Sequence, residues 1–275
     1  MTRAPVPLLL YHSVADATDP RFAEWAVSEK AFAAQMDALA REGYSALTVR
    51  EVAERAFGRG GALPDRALAI TFDDGFEDFY TAAWPHLERN GLTATVFVTT
   101  GHVGSTSVWL GSHGEGDRPL MSWSQIADIS AAGIECGAHA HTHVQLDAVP
   151  RWRAREEIER SRRALAGVVG PPSSFAYPHG YHSRRVRQEV RRAGFASACA
   201  VADGLASASD DPYAIPRVVV RGGTSVESLL RVLEGQRSTA RPRPLRRAAW
   251  RSLRRAGAEP LVERLRTSLR PGVSR

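Results

Sequence analysis

The sequence of 275 residues contains little lysine, little cysteine and no long apolar run. Lys30 is the single lysine among 36 basic residues, so arginine carries almost all of the positive charge. Two cysteines, Cys136 and Cys199, cannot build a disulfide framework, and we expect two small buried thiols in a reducing compartment. No apolar run approaches the ~18 residues of a membrane span.

The N-terminus lacks the features of a secretory signal. The apolar run after Arg3 is short, contains Pro7 and ends at Tyr11-His12. A signal peptide needs an uninterrupted apolar stretch of about 7–15 residues and a small-residue cleavage site. We therefore expect a cytoplasmic protein.

The charge is concentrated in a C-terminal tail, residues 237–275. This tail holds 12 arginines against Glu259 and Glu263, whereas the net charge of the whole chain is +6. After a Pro-rich start, the tail is predicted to form a short basic helix. It either packs as a solvated helix on the rest of the protein or binds anionic lipid at the inner face of the membrane. Nucleic-acid binding ranks below both, because no recognition module accompanies the basic segment.

Short apolar runs alternate with helical patterns along residues 1–236. Strands are predicted at residues 7–12, 67–72, 93–99, 134–138, 174–177, 196–201 and 215–220. Helix starts are marked by capping boxes at Thr48/Glu51, Ser122/Gln125 and Thr224/Glu227. About seven alternations predict a parallel sheet covered by helices, either closed into a barrel or left open and doubly wound. The loop at residues 101–119, which contains Trp109 and His113, is long enough to be functional.

Adjacent carboxylates end the second predicted strand, in Ile70-Thr-Phe-Asp73-Asp74-Gly75. Two neighbouring carboxylates at a strand end are costly unless something compensates their charge. Gly75 lets the chain turn at once, at the edge of the sheet where α/β enzymes keep their sites. The alternatives are a solvated strand-to-loop transition and a helix N-cap, and this motif alone does not decide between them.

Three histidines follow another predicted strand, in Gly137-Ala-His139-Ala-His141-Thr-His143. Neutral imidazoles bind divalent cations well. In an extended segment all three side chains point the same way, whereas in a helical turn only His139 and His143 share a face. Two histidines and one carboxylate, with positions left open to water, are typical of a catalytic metal site.

A third polar segment follows the predicted strand at 174–177, in Phe175-Ala-Tyr177-Pro178-His179-Gly180-Tyr-His182. Its proline and glycine predict a tight turn. The aromatic and imidazole side chains either line a polar pocket or cover the rim of the sheet. Taken alone, the segment favours the rim.

Together, the three segments resemble in order and spacing the polysaccharide deacetylases of carbohydrate esterase family 4, the NodB-homology domain. Leu10-Tyr-His-Ser13 and Ile215-Pro-Arg217 resemble the branch that includes de-N-acetylases of poly-N-acetylglucosamine. The resemblance covers about residues 5–235. It implies a distorted (β/α)7 barrel in residues 1–236 that removes N-acetyl groups from an N-acetylated sugar or polysaccharide, with residues 237–275 as a separate tail.

The resemblance also implies a role for individual residues. Asp74, His139 and His143 would bind a divalent metal, for which Zn²⁺ is expected, and Asp73 would be the general base. His179 would hold the oxyanion through its backbone N–H, while His141 has no role in the family motif. The residues assigned to substrate binding are His12, Tyr177, Pro178 and Arg217.

Two departures from the family pattern matter for the mechanism. Ala176 stands where many members carry an arginine that orients the general base, and we hypothesise that Arg217 takes its place. No histidine follows His182, although many members supply a general-acid histidine from a late strand. The amine must then be protonated by His179, which we favour, or by His182, His12 or the metal-bound water.

Two other functions fit the same residues. A related hydrolase would open a cyclic amide with the same site. A glycan-binding relative without catalysis would explain the missing arginine and the missing late histidine, but a pure binding module has no need of the base Asp73.

Overall fold

The structure is a computed structural model that describes residues 5–16, 19–58 and 60–235. The basic helix predicted in residues 237–275, its lipid contact and the domain boundary at residue 236 lie outside the described residues and stay predictions. Within the described part of the chain, no helix combines the length and the apolar character needed to cross a membrane.

In the described part of the chain, eight short strands form one parallel sheet with the order β7-β6-β5-β4-β3-β1-β8, and β2 pairs with the first half of β3. The strands are β1 Leu8–Tyr11, β2 Ser45–Leu47, β3 Ala67–Phe72, β4 Thr95–Val98, β5 Glu135–Ala138, β6 Ser174–Ala176, β7 Ser197–Cys199 and β8 Val218–Val219. Seven of them fall within the predicted runs. The three-residue strand β2 was not predicted.

The two ends of the sheet are joined through the segment that leads into β8. The backbone N–H of Ala200 donates to the carbonyl of Ile215 (2.8 Å), and the N–H of Ile215 donates to the carbonyl of Ala198 (2.9 Å). Three residues later, Val218 pairs with Leu9 of β1. The sheet therefore curls into an irregular barrel, and the predicted distorted β/α barrel is confirmed.

Helices connect consecutive strands from β1 to β7 and cover the outside of the sheet, whereas the described segment between β7 and β8 contains no helix. Parallel strands need such long crossover connections, which are usually helical. The helices are α1 Glu29–Arg41, α2 Val49–Ala56, α3 Trp84–Arg89, α4 Trp123–Ala131, α5 Arg151–Val169, α6 Arg184–Arg192 and α7 Val226–Leu233. Short turns of 3₁₀ helix lie at Val108–His113 and Pro178–Gly180. The capping boxes predicted at Thr48/Glu51 and Ser122/Gln125 are confirmed.

The third predicted capping box, Thr224/Glu227, is wrong by one residue. The N-cap of α7 is Ser225, whose hydroxyl accepts a hydrogen bond from the backbone N–H of Ser228 (3.2 Å). The Thr224 hydroxyl instead accepts from the N–H of Arg221 (3.0 Å). Thr224 therefore closes the preceding turn, which leaves the cap to its neighbour.

In strand β3, alternate side chains point to opposite faces of the sheet, one towards the helices and one towards the barrel interior. Ile70 and Phe72 pack in the core between the sheet and the helices, whereas Ala69 packs in the barrel interior. Successive side chains of a strand point to opposite faces. Thr71 and Asp73 consequently follow Ala69 towards the interior, which brings a carboxylate to the upper end of the barrel interior.

The two cysteines are both buried and unpaired. Burial raises the pKa of Cys136 and of Cys199 to about 12. Both side chains are therefore neutral thiols that act as small apolar groups, as the sequence predicted.

Candidate metal centre and active site

The polar motifs converge because each follows the C-terminal end of a strand in one parallel sheet. Asp73 and Asp74 follow β3, His139 follows β5, and Tyr177 follows β6. His12 follows β1 in the same way. The carboxyl ends of parallel strands meet at one end of a barrel, where β/α-barrel enzymes place their active sites.

Left-handed backbone is concentrated at this end of the barrel. Asp74, Ala140, His143 and His179 have φ values of 76°, 59°, 59° and 60°, and they are four of the six non-glycine residues with positive φ in the described chain. Gly75 continues the left-handed turn after Asp74 with a φ of 83°. Such backbone costs about 1–3 kcal/mol per residue and clusters where function requires a fixed geometry.

Three buried side chains bring potential metal ligands together. Oδ1 of Asp74 lies 3.0 Å from Nε2 of His143 and 3.4 Å from Nε2 of His139. Ligand atoms of all three residues lie within 4.8 Å of one another. The ligands of a tetrahedral ion with bonds of 2.0–2.1 Å are about 3.3 Å apart, so the observed spacing fits one divalent cation.

The hydrogen bonding of the three residues supports the same interpretation. Nδ1 of His139 lies 2.9 Å from the carbonyl of Ala176, which can only accept, so this nitrogen carries the proton and Nε2 presents its lone pair. Burial lowers the pKa of His139 to about 4, which keeps its imidazole neutral. Oδ1 of Asp74 is buried and has no hydrogen-bond partner of acceptable geometry among the described residues. A buried carboxylate oxygen without a donor fits a cation ligand.

The other aspartate of the pair faces the barrel interior and is held by Arg217. Nη1 and Nη2 of Arg217 each donate to one oxygen of Asp73, both at 2.7 Å. Nη1 also contacts the hydroxyl of Thr71 (3.1 Å), and Nε lies 3.3 Å from the carbonyl of Ala200. The contact that the sequence hypothesised is therefore present, with an arginine before β8 pairing with Asp73 in place of one at Ala176.

The charge around Asp73 keeps this carboxylate ionised. Burial alone would raise the pKa of Asp73, but the charge of Arg217, with His139 and a hydrogen bond from Arg217, lowers it below its ordinary value. Nε2 of His139 lies 4.0 Å from Oδ2 of Asp73. Asp73 is thus a charged acceptor immediately beside the candidate metal ligands.

Two further histidines lie beside these groups. The ring of the exposed His179 meets that of His143 edge to face, with centroids 4.7 Å apart. His12 packs against Trp25 (5.0 Å), and Nδ1 of His12 has no hydrogen-bond partner among the described residues. Burial lowers the pKa of His12 although Asp74 and Asp73 act to raise it. Both imidazoles therefore lie next to the candidate ligands or the charged groups of the site.

Tyr177 and Pro178, two of the residues assigned to substrate binding, are buried. The Tyr177 hydroxyl donates to the carbonyl of Tyr213 (2.9 Å), and its ring lies 4.9 Å from that of His182. Arg217 is completely buried as well, against Asp73. Direct substrate contact by these side chains stays a prediction. The contacts that the structure shows join Tyr177 to Tyr213 and His182, and Arg217 to Asp73.

Sequence reasoning did not identify the contribution of Trp109. Its indole stacks on the ring of His143 at 4.7 Å with an interplanar angle of 20°, and it lies 5.3 Å from the ring of His102. The loop at residues 101–119 therefore covers one candidate ligand directly. No local pattern reports this, because the loop and His143 are far apart in the sequence.

The motifs and their geometry agree with a match to known proteins. Residues 60–198 match the family model described as polysaccharide deacetylase. The chain belongs to the polysaccharide deacetylase family. This confirms the resemblance that the three motifs carried.

Three proteins show how similar other members of the family are. YxkH of Bacillus subtilis, named for an expected polysaccharide deacetylase activity, is 26% identical over 223 residues, which are 81% of this chain and 74% of that protein. The poly-β-1,6-N-acetyl-D-glucosamine N-deacetylase of Escherichia coli K12 is 24% identical over 79% of this chain and 37% of its own length. IcaB from Ammonifex degensii shares the fold with a TM-score of 0.73 and 24% identity, over 85% of this chain and 98% of that one.

The metal centre can be tested with a control from the same loop. We expect Asp74→Asn, His139→Gln and His143→Gln each to weaken Zn²⁺ binding by more than about 100-fold, because each removes a ligand. His141→Gln should leave the affinity within about twofold of wild type, because Nδ1 of His141 faces the hydroxyl of Thr100 (3.0 Å). Competition with a chromophoric chelator measures the Zn²⁺ affinity of wild type and of each of the four variants. An equal loss in all four variants would contradict this ligand set.

Proposed function

We propose that the chain is a metal-dependent hydrolase that removes N-acetyl groups from an N-acetylated glycan, with release of acetate and a free amine. The observation that carries this proposal is the convergence of Asp74, His139 and His143 beside the Asp73–Arg217 pair. Membership of the polysaccharide deacetylase family supports the reaction class. The relative named for poly-β-1,6-N-acetyl-D-glucosamine supports a polymer of N-acetylglucosamine as the substrate class.

Asp74, His139 and His143 would hold the metal through one carboxylate oxygen and two imidazole nitrogens. A divalent ion there, for which we propose Zn²⁺, supplies Lewis acidity towards the amide carbonyl and promotes the ionisation of water. His139 is suited to this task because its imidazole is neutral, and Asp74 because its buried Oδ1 has no hydrogen-bond partner among the described residues.

Asp73 acts as the general base in this proposal. Each carboxylate oxygen can accept about two hydrogen bonds, so pairing with Arg217 leaves acceptor capacity on both. The bidentate contact fixes the plane of the carboxylate, which is how a positioned base gains its efficiency. Asp73 takes a proton from the attacking water, and the Arg217 charge keeps Asp73 ready to accept it at neutral pH.

His179 carries two tasks in the proposal. His179 follows Pro178 in a tight turn, and by the family pattern its backbone N–H stabilises the oxyanion. Its imidazole is exposed and adjacent to His143, so it can take a proton from solvent and give it to the leaving amine. His12, which lies among the acidic groups of the site, is the second candidate for this proton transfer.

The main experiment measures acetate release from N-acetylglucosamine oligomers and from nucleotide- and lipid-linked N-acetyl sugars, with chelated and Zn²⁺-restored protein. We expect metal-dependent release that falls about 10²–10⁴-fold in Asp73→Asn, since the general base is lost. The metal content of Asp73→Asn should equal that of wild type. The exposed Asp65→Asn is the matched control and should retain wild-type turnover.

Each other outcome has a definite meaning. No acetate from any sugar by a metal-loaded protein would favour the glycan-binding relative. Ring opening of a cyclic amide without acetate release would favour the related hydrolase. Undiminished turnover in Asp73→Asn would contradict the base assignment.

The ion pair makes a separate prediction about pH. Arg217 lowers the pKa of Asp73, so its removal raises that pKa and delays ionisation of the base until higher pH. The acidic limb of kcat/KM against pH should therefore move to higher pH in Arg217→Met and less in Arg217→Lys. Removing one partner of a buried pair also costs about 3–5 kcal/mol of stability, so circular dichroism must first establish folding. An acidic limb unchanged in both folded variants would contradict the role of Arg217.

The proton donor is tested by comparing two single variants. His179→Gln should lower kcat by about 100-fold on a natural substrate, because general-acid catalysis contributes at least that much. His12→Gln should have a smaller effect. Steady-state turnover at several pH values measures both, and the reverse order would assign the donor role to His12.

A further inference from the structure

A buried glutamate outside the three motifs holds the loop that connects two of the candidate ligands. Glu157 lies on α5 and is 6% exposed. Its Oε2 accepts the backbone N–H groups of His141 (3.0 Å) and Thr142 (2.7 Å), and its Oε1 accepts the hydroxyl of Thr142 (2.6 Å). One carboxylate thus receives three hydrogen bonds from the short segment between His139 and His143.

This segment needs an external partner because it belongs to no helix or strand. Ala140 and His143 both have left-handed backbone, so the chain changes direction twice within four residues. Consecutive N–H groups that point to one side form a concave donor site that an anion satisfies. Without Glu157, the N–H groups of His141 and Thr142 would lose their acceptor, and the free energy of these two hydrogen bonds would be lost.

The opposite side of the segment is fixed by the chain after β4. The backbone N–H of Gly101 donates to the carbonyl of His141 (2.7 Å), and the hydroxyl of Thr100 lies 3.0 Å from Nδ1 of His141. Ala154 and Ile158, on either side of Glu157 in α5, are buried in the main core. The glutamate is therefore presented by a rigid helix, and the segment is held from two directions.

We infer that Glu157 is a positioning residue for the metal centre. By fixing the backbone at His141 and Thr142, it sets the path from His139 to His143 and turns both imidazoles towards Asp74, while His141 turns away. A site whose ligands are already in place binds its ion without first ordering a loop. This inference rests on the proposed function only in taking Asp74, His139 and His143 as the metal ligands.

The test measures Zn²⁺ affinity of the full chain by chelator competition, independently of turnover. Glu157→Ala should bind about 10–100-fold more weakly, the usual effect of losing a supporting hydrogen-bond partner. Glu157→Gln keeps an acceptor oxygen but loses the charge, and we expect a loss of several-fold, because charge-assisted bonds are about twice as strong as neutral ones. The neighbouring exposed residue supplies controls, and Glu156→Ala and Glu156→Gln should bind as wild type does.

The outcomes separate this inference from the proposed function. If wild type binds Zn²⁺ and a folded Glu157→Gln binds equally well, Glu157 has no positioning role, whether or not Glu157→Ala folds. If Glu157 and Glu156 variants weaken binding equally, the effect is one of general charge and the inference also fails. If wild type itself binds no divalent ion, the proposed metal centre is wrong, and the inference falls with it.

Discussion

The ion pair between Asp73 and Arg217 is the interaction on which the rest of the site depends. An isolated charge in the interior of a barrel is strongly unfavourable, and each of these residues compensates the other. Arg217 lies between Ile215, which pairs with β7, and Val218, which pairs with β1. The segment that closes the barrel through its backbone therefore also carries the side chain that orients the carboxylate at the mouth.

Adjacent aspartates take different environments because the chain changes its conformation between them. Asp73 continues the alternation of β3 and faces the interior, whereas Asp74 has left-handed backbone and lies against His139 and His143. Each oxygen of Asp73 accepts one hydrogen bond from the guanidinium of Arg217, whereas Asp74 keeps one oxygen without a hydrogen-bond partner among the described residues. In the proposed reaction this difference separates the base from the metal ligand, although both are the same residue type.

Much of this arrangement follows from local sequence. Apolar runs located seven of the eight strands, and the three motifs fell at strand ends as expected. The sequence alone does not decide whether the histidine segment is extended or turned. In the structure, Ala140 and His143 have left-handed backbone. His139 and His143 therefore both lie on the side of the segment that faces Asp74, while His141 contacts Thr100.

The features that sequence reasoning missed depend on contacts between distant residues. Trp109 stacks on His143, and Glu157 binds the backbone of His141, yet neither residue type at its position is unusual by itself. The capping error at Thr224 has a similar origin, since a preceding turn uses its hydroxyl. Local patterns indicate the helices, the strands and the candidate site residues, whereas the loops and helices that support these residues are identified only in the three-dimensional structure.

The central claim is that the two aspartates divide the work, with Asp74 on the metal and Asp73 on Arg217. A crystal structure of the Zn²⁺-loaded protein, with anomalous data at the zinc edge, tests it most directly. We expect one ion bound by a carboxylate oxygen of Asp74 and by Nε2 of His139 and His143, with Asp73 still paired to Arg217. An ion bound by Asp73 or His141, or a broken Asp73–Arg217 pair, would contradict this account.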